Sequence, residues 1–474
     1  MRLLVAIADH GTAARHHLDR LLAEYRSMPY DVDLVVLSDV PKELGDDVEV
    51  LVGAPAEDPW SLPFAHRPLF IERADEYDLF VYTENDTLIT ARNIEAYLEI
   101  TDTLRPDEIL GFLRSEADAD GELHYPMIHG GFRWLPETFR RRGDLTFAAM
   151  TNEHAASYLL TRAQLRRCIA SGGYEIDPHE GRHDMLCAAA TDPYTRCGLT
   201  RVLCLSRLED FTLPHLSNRY AGVRGVTQRT LDDLVAAVEA VGDDGAWQGP
   251  LFDPENGLPT GAWWKDLYEQ PRTELLDIVP AGADVLAVGS GWGATEEALA
   301  DRGHDVTSLP IDPVLGLLVA ARGVDVVRAG FDEAARRLAH RRFDCVVLAD
   351  LLHLVDDPRA VIERFRPLIA PGGSLVISVP NVWWPTQLRR LRRRGPRTQG
   401  FARSGVHATH RRTVSRWLSS SPLEVVETRS LPGRGPHLGP LEAMTGAVLS
   451  AGFVVRAELR TVAAPAADAS LSAS

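Results

Sequence analysis

Short apolar runs alternate with amphipathic segments through the first half of the chain. The apolar runs predict β-strands at residues 2–8, 33–37, 79–83, 109–113, 157–160 and 201–205. The amphipathic segments predict helices at residues 14–25, 92–103 and 162–171. Alternation of this kind favours a mostly parallel sheet covered by helices, which is the α/β class.

The alternation stops at about residue 220 and resumes at about residue 270. A predicted helix at 230–241 precedes a passage rich in Gly, Pro and Asp that carries Trp247, Trp263 and Trp264. Large aromatic side chains are costly to leave in water, so this passage predicts a linker or a docking surface. Beyond it, strands are predicted at 284–288, 305–309, 343–348, 374–379, 423–428 and 453–462, with helices at 294–302 and 358–369.

The pattern therefore predicts two α/β domains in one chain. They cover residues 1–222 and 269–463, and a helical, Trp-rich linker at 223–268 joins them. The Ala- and Ser-rich tail at 464–474 is predicted to be disordered. A length of 474 residues is consistent with two separate cores.

Composition narrows the class of protein. A formal net charge of −17 argues against general nucleic-acid binding, which favours a basic footprint. Five cysteines without a CxxC pair fit a reducing compartment. The apolar run at the N-terminus is too short for a signal peptide, and no run reaches the length of a membrane span. We therefore expect a cytoplasmic protein without a transmembrane segment.

A glycine-rich turn follows the predicted strand at 284–288. It reads Val288-Gly-Ser-Gly-Trp-Gly293, and its glycines permit a tight turn and close approach of a ligand. Downstream come Phe343-Asp-Cys-Val-Val-Leu-Ala-Asp350 and the lead-in Pro371-Gly-Gly373. This series resembles the class I S-adenosylmethionine-dependent methyltransferases over about residues 270–463. A dinucleotide-binding oxidoreductase is the competing interpretation, but it lacks the Pro-Gly-Gly lead-in.

The resemblance implies a Rossmann-like domain that binds S-adenosylmethionine, with Gly289, Gly291 and Gly293 around its methionine part. The chain departs from the family at Ala287 and Pro310. The first position is commonly acidic, and the second is where an acid usually binds the ribose. A degenerate domain without cofactor therefore remains an alternative.

Four further residues complete the implied cofactor and acceptor site. Asp312 could replace the missing ribose-binding acid if the strand end is bulged. Phe331 lies in the region that frames the adenine, and Asp350 lies at the cofactor edge of the sheet. His353 is the candidate base for an acceptor hydroxyl. The later histidines at 407 and 410 are its rivals, and a role in holding a loop is the alternative for each.

A basic interval interrupts this acidic protein. Residues 364–423 contain no Asp or Glu but hold the run Arg389-Arg-Leu-Arg-Arg-Arg394. Arginine suits phosphate and carboxylate groups, so the interval predicts an anionic acceptor such as a nucleotide-sugar or a phospholipid-linked glycan, or contact with a membrane surface. A solvated helix face, or a patch docked on the N-terminal domain, is the alternative. Trp383 and Trp384 beside it are predicted to form a lid.

The N-terminal half carries a second signature, the strand Tyr77-Asp-Leu-Phe-Val-Tyr-Thr-Glu-Asn-Asp86. Carboxylates at positions i and i+2 of a strand end can face one hard cation, which in turn binds a diphosphate. This element resembles the DxD motif of GT-A glycosyltransferases in a Glu-x-Asp form, and the resemblance covers about residues 1–222. An unrelated α/β domain, or an inactive glycan-binding relative, is the alternative.

The second resemblance implies Mn²⁺ or Mg²⁺ held by Glu84, Asp86 and the late His215. Asp184 is the candidate general base, and Asp177 and Glu180 are the alternatives to it; a charge that stabilises a helix N-terminus is the other interpretation of Asp184. The residues expected to contact the nucleotide-sugar are Ala8, Asp39, Arg67 and Asn85.

The two signatures together predict a bifunctional transferase. Its N-terminal domain would transfer a sugar from a nucleotide-sugar donor, and its C-terminal domain would O-methylate a saccharide or glycosylated acceptor. Two alternatives remain open. One is a methyltransferase whose N-terminal domain only recognises a glycan, and the other is a glycosyltransferase with a degenerate methyltransferase-like domain.

Overall fold

A computed structural model describes residues 1–127, 131–181, 184–223, 225–245, 249–258, 263–381, 400–431 and 450–460. The chain divides into two compact units. The N-terminal unit contains Met1–Trp247 and Gly257–Tyr268, and the C-terminal unit contains Gln248–Asn256 and Glu269–Ser474. Within the described ranges no helix is long and apolar enough to span a bilayer. Trp247, Trp383, Trp384, the arginine run at 389–394 and the predicted tail lie outside them.

The N-terminal unit has thirteen described strands and six described α-helices. The strands are β1 (Arg2–Asp9), β2 (Asp31–Ser38), β3 (Val48–Val52), β4 (Leu79–Glu84), β5 (Glu108–Leu110), β6 (Leu113–Ala117), β7 (Leu123–Tyr125), β8 (Trp134–Arg142), β9 (Leu145–Met150), β10 (Ser157–Thr161), β11 (Thr200–Cys204), β12 (Thr212–Pro214) and β13 (Val226–Thr227). The helices are α1 (Arg15–Ser27), α2 (His66–Glu72), α3 (Ala91–Thr101), α4 (Arg162–Ala170), α5 (Met185–Thr195) and α6 (Gln228–Asp244). Two 3-10 helices cover Pro59–Ala65 and Leu205–Phe211.

The main sheet of this unit has the order β10-β4-β1-β2-β3. Its strands are parallel except β10, which is antiparallel to β4. Successive residues of β1 enter different cores, because side chains alternate across a strand. Leu3 and Val5 pack with α1 and α3 on one face, whereas Leu4 packs with α2 and α4 on the other. Two four-stranded sheets, β5-β11-β9-β8 and β12-β6-β7-β13, complete the unit.

The C-terminal unit follows the same plan with one larger sheet. Its strands are β14 (Asp284–Ser290), β15 (Asp305–Pro310), β16 (Asp325–Val326), β17 (Phe343–Ala349), β18 (Ile369–Pro380), β19 (Leu423–Leu431) and β20 (Gly452–Leu459). Its described helices are α7 (Thr273–Leu276), α8 (Ala294–Ala300), α9 (Pro313–Ala321), α10 (Phe331–Arg337), α11 (Pro358–Phe365), α12 (Phe401–Ser404) and α13 (Arg411–Leu418), with a 3-10 helix at Arg366–Leu368.

The seven strands have the order β16-β15-β14-β17-β18-β20-β19. Five of them are parallel, and β20 is antiparallel to both of its neighbours. Chain order therefore reverses between β14 and β17, which creates the switch point of a doubly wound, Rossmann-like sheet. Ligands of such sheets bind outside the carboxyl ends of the strands at this point. The α/β class is confirmed for the chain and the Rossmann-like fold for this unit, whereas the GT-A assignment stays a prediction.

Candidate functional sites

The N-terminal unit has a cavity of about 560 Å³ at the carboxyl ends of β1 and β4. Three of the residues predicted from the Glu-x-Asp motif line it, namely Glu84, Asn85 and Asp86, and so does Ala8. Both strands are parallel and adjacent, so their carboxyl ends meet at one edge of the sheet. The other lining residues are His10, Ala13, Ala14, His16, His17, Pro59, Trp60, Leu62, Pro63, Leu186, Ser217 and Arg219.

His215 lies between two carboxylates beside this cavity. Its Nε2 is 3.0 Å from Oδ2 of Asp86, and its Nδ1 is 2.5 Å from Oε1 of Glu116. Burial acts to raise the pKa of Asp86, but the hydrogen bond and charge of His215 outweigh it and lower that pKa. Arg219 adds a guanidinium 3.5 Å from the same carboxylate oxygen.

Glu84 has the opposite electrostatic environment. Burial, and next the charge of Asp86, raise the pKa of Glu84 to about 7. The pKa values of these two carboxyl groups are therefore shifted in opposite directions. Among the residues that the structure describes, His215 and Arg219 pair with Asp86, whereas no ion pair is present for Glu84. A carboxyl that titrates near neutrality beside a cavity is typical of a functional site.

Two of the three predicted metal ligands, Asp86 and His215, form an ion pair with each other. In the described part of the chain, the group of His and acidic side chains with ligand atoms within 4.8 Å of one another is Asp118, Glu122 and His124, in the β6–β7 hairpin. Glu84, Asp86 and His215 are not such a group, and the two ring nitrogens of His215 lie against the carboxylates of Asp86 and Glu116. These three residues do not fit the predicted three-ligand site, and a Mn²⁺ or Mg²⁺ requirement stays a prediction.

The strand-end residues near β1 are held by a network of hydrogen bonds. Asp39 accepts a hydrogen bond from the backbone N–H of Gly11 at 2.7 Å, and its other oxygen is 3.3 Å from Nε2 of His10. The side-chain amide of Asn85 donates to Asp9, and its backbone N–H donates to the carbonyl of Ala8 at 3.0 Å. Asp39 therefore contacts a cavity-lining residue, and Asn85 is held in place by β1.

Arg67 lies elsewhere, which corrects its expected place at the diphosphate. Its guanidinium is buried on α2 and forms an ion pair with Asp192 of α5 at 2.6 Å. It also lies over the ring of Phe64, with 4.2 Å from its central carbon to the ring centroid. A buried guanidinium committed to a carboxylate stabilises the packing of α2 against α5 and is not available to a ligand in the cavity.

Asp184 caps a helix and also lies near the cavity. Its Oδ1 accepts the backbone N–H of Cys187 at 3.0 Å, at the N-terminus of α5. Its charge contributes to the raised pKa of Glu84, and Leu186 of the same turn lines the cavity. Asp184 is therefore the N-cap of α5, and its role as general base stays a prediction.

Sequence reasoning missed four residues of this cavity. His16 and His17 lie in the first turn of α1, with their ring centroids 3.9 Å apart. Trp60 lines the cavity and is 50% exposed, and Arg219 lies near Asp86. The His16-His17 pair in the first helix after β1 was the available signal, because the N-terminus of a helix that follows a sheet strand faces the carboxyl edge of that sheet.

In the C-terminal unit, the glycine turn lies at the switch point. Gly289 and Gly293 have φ values of +79° and +93°, which favour glycine. A Cβ on Gly293 would lie 3.0 Å from the Cα of Val319, so this glycine permits close packing of the turn on α9. Gly291 lies between them, and the carbonyl of Trp292 accepts a hydrogen bond from Arg322 at 2.9 Å.

Asp312 and Phe331 have structural partners of their own. Asp312 is the N-cap of α9, and its Oδ1 accepts the N–H of Leu315 at 2.9 Å. The β14–β15 register shifts between Val288 and Ser290, so the irregularity lies in β14 at Gly289 and not at the end of β15. The ring of Phe331 packs edge-on against Phe365 at 5.9 Å between ring centroids. Their contacts with a cofactor stay predictions.

Asp350 lies directly after β17 in a left-handed conformation, with φ of +48°. Its Oδ1 accepts a hydrogen bond from Ser378 at 2.8 Å, and its Oδ2 is 3.0 Å from Arg272. A non-glycine residue in this region is strained and is held by its surroundings. The network therefore fixes the carboxyl end of β17 at the switch point.

The candidate histidines of this unit hold loops. His353 is 1% exposed, and its carbonyl accepts the N–H of His407 at 2.8 Å. The His407 ring contacts the carbonyls of Val355 and Asp356, and His410 caps α13. His353 as the base for an acceptor hydroxyl stays a prediction, and its burial means that an acceptor would need a path from solvent.

Comparison with known proteins finds a family model that matches the C-terminal part of the chain. Residues 263–428 match the family model described as "Methyltransferase domain". The C-terminal part of the chain is therefore similar to a methyltransferase domain over residues 263–428. The strand order of its sheet is that of a Rossmann-like fold.

Two relatives are ubiquinone biosynthesis O-methyltransferases. The protein of Xanthomonas axonopodis pv. citri is 38% identical over 136 residues, which are 25% of this chain and 56% of that protein. The protein of Xylella fastidiosa (strain 9a5c) is 30% identical over 139 residues, with 26% and 56% covered. The chain spans about half the length of the curated relatives it matches.

Solved structures similar to the chain include two methyltransferases. The S-adenosylmethionine-dependent methyltransferase of Mesorhizobium loti is 19% identical with a TM-score of 0.31, covering 39% of this chain and 95% of that one. The N-methyltransferase NodS of Bradyrhizobium japonicum WM9, in complex with S-adenosylhomocysteine, is 18% identical with a TM-score of 0.29, covering 42% and 97%.

Proposed function

We propose that the C-terminal unit is an S-adenosylmethionine-dependent methyltransferase that methylates an oxygen atom. The observation that carries the proposal is the match of residues 263–428 to the methyltransferase family model, because that range includes the glycine turn at the switch point. The O-methyltransferase relatives support oxygen as the acceptor atom. A saccharide or glycosylated hydroxyl is the acceptor class that a partner glycan domain would favour.

The glycine turn and the end of β17 are the parts of the unit that would hold the cofactor and the acceptor in place. S-adenosylmethionine supplies an electrophilic methyl group when bound. Gly289, Gly291 and Gly293 would bring the backbone close to the methionine part, as glycine permits. The Arg272–Asp350–Ser378 network would keep the end of β17 rigid. Alignment of acceptor and methyl group in a fixed, dry site can supply most of the acceleration of such a transfer.

A second function is proposed for the N-terminal unit, namely transfer of a sugar from a nucleoside diphosphate donor. The supporting observation is the cavity that joins Glu84 and Asp86 with His17 and Arg219. Arginine forms bidentate hydrogen bonds with phosphate, so Arg219 would offset the charge of the diphosphate. Trp60 offers an aromatic face for a base or a sugar ring. A glycan-recognition unit without turnover is the competing proposal.

Calorimetric titration of the full chain tests both proposals. We expect S-adenosylhomocysteine to bind, and UDP or GDP to bind with and without Mn²⁺. Gly291→Arg should abolish the first binding alone, and Asp86→Ala should weaken the second alone. Asp118→Asn, in the exposed β6–β7 hairpin, is the control for removal of a carboxylate.

The pattern of losses separates the functions. Absence of S-adenosylhomocysteine binding would reject the methyltransferase proposal. Absence of nucleotide binding, with methyl transfer to a glycan retained, would favour the glycan-recognition unit. If nucleotide binding requires Mn²⁺ and the Asp118→Asn variant loses it, the metal site would be assigned to the β6–β7 hairpin.

A further inference from the structure

Residues 249–256 belong to the C-terminal unit although they precede part of the N-terminal unit in the chain. We call these residues the strap. The backbone N–H of Leu251 donates a hydrogen bond of 2.7 Å to the carbonyl of Ile311. Ile311 directly follows β15, so the strap is fixed beside Pro310. Pro310 occupies the position where a ribose-binding acid was expected.

The side chain of Phe252 extends the strap onto the glycine turn. Phe252 is 8% exposed. A Cβ built on Gly289 would lie 3.1 Å from Cε1 of Phe252 and 3.3 Å from Cδ1 of Leu351. The phenyl ring therefore fills the space that the missing side chain of Gly289 leaves open. That space adjoins the carboxyl end of β14, where a doubly wound sheet binds its ligand.

We infer that the strap is an intramolecular competitor of the cofactor, and that Phe252 must leave Gly289 before the cofactor binds the turn. The inference rests on the proposed methyltransferase function. It requires two positions of the strap, closed on the glycine turn and open. The contacts at Gly289 and Ile311 belong to the closed position.

The competition between the strap and the cofactor predicts how much the apparent dissociation constant of the cofactor should change when the ring is removed. When only the open state binds a ligand, the apparent dissociation constant is the intrinsic one divided by the open fraction. Burial of one phenylalanine side chain corresponds to a factor of roughly ten to a hundred in such an equilibrium. Removal of the ring should therefore tighten cofactor binding by at least about tenfold.

The test compares four full-length proteins by calorimetric titration with S-adenosylhomocysteine. Phe252→Ala removes the ring, and Leu251→Pro removes the N–H that donates to Ile311. Both should bind the ligand about tenfold more tightly than the wild type or better. Leu251→Ala is the matched control, because it keeps the N–H, and it should bind like the wild type.

Hydrogen exchange supplies a readout that does not depend on affinity. In the wild type, S-adenosylhomocysteine should speed exchange of the Leu251 amide, because binding opens the strap. Slower exchange, or weaker or unchanged binding by Phe252→Ala, would overturn the inference and make the ring a wall of the cofactor site. Absence of binding by all four folded proteins would instead reject the methyltransferase function, and the strap inference with it.

Discussion

At the scale of single residues, His66 is a histidine whose buried position depends on its neutral form. Its Nδ1 donates to the carbonyl of Pro63 at 2.5 Å, and its Nε2 accepts from the hydroxyl of Tyr158. Its ring stacks on Tyr82 with 4.2 Å between centroids. Burial, and next the charge of Arg67, lower the pKa of His66 well below its usual value. The neutral form is therefore favoured by the loss of solvation and by the neighbouring guanidinium, not by the hydrogen bonds of the ring.

This pKa shift predicts acid sensitivity. The unfolded chain takes up a proton at His66 near pH 6.5, and the folded chain does so only at lower pH. The unfolded state therefore binds more protons below pH 6.5, and stability falls there by up to about 1.4 kcal/mol per pH unit from this group. His66→Gln should be less stable at pH 8 but lose less stability between pH 7 and pH 5. Urea unfolding across that range measures both slopes, and parallel curves would contradict the assignment.

At the scale of elements, the sequence predicts the central parallel strands well and the peripheral strands poorly. Strands buried on both faces read as continuous apolar runs, and β1, β4, β14 and β17 lie within two residues of their predicted ends. The strands β7, β8 and β9 were not predicted, and only the first residue of β6 fell within a predicted strand. One example is β8, which is mostly half-buried and carries Arg140, Arg141 and Arg142.

In the candidate sites too, sequence patterns point to some residues and not to others. The difference is whether the feature is local in the chain. Glu84, Asp86 and the glycine turn could be selected as candidates because strand ends and glycines leave local signals in the sequence. The packing of Phe252 on Gly289 joins residues 37 positions apart, and the ion pair of Arg67 with Asp192 joins residues 125 apart. No local pattern encodes such contacts, so Arg67 was misplaced and Phe252 was not selected.

The glycine turn gives a prediction at this scale through a matched pair. Gly293 and Gly303 have similar φ values, +93° and +86°, but a Cβ on Gly293 would lie 3.0 Å from the Cα of Val319 and one on Gly303 would contact nothing within 4 Å. Each alanine variant carries the strain of positive φ, of order 1 kcal/mol. Gly293→Ala should lose a further ~1–3 kcal/mol from overpacking on α9. Urea unfolding compares the two, and equal losses would contradict the packing role.

At the scale of the whole molecule, the described apolar residues form separate cores in the two units. The N-terminal cores gather around β1, and the C-terminal core gathers around β14. The chain nevertheless crosses between units more than once, since 248–256 belongs to one unit and 257–268 to the other. A single cut after residue 268 would therefore separate the strap from the turn that it contacts.

Separate cores predict two unfolding transitions in a calorimetric scan of the full chain. Asp192→Asn leaves the buried Arg67 without its carboxylate, which typically costs about 3–5 kcal/mol, so it should lower the melting temperature of one transition. Gly293→Ala should lower the other. UDP, if it binds the Glu84–Asp86 cavity, should raise the transition that Asp192→Asn lowers, because a ligand stabilises the unit that binds it. One transition lowered by both variants would mean that the two units unfold cooperatively.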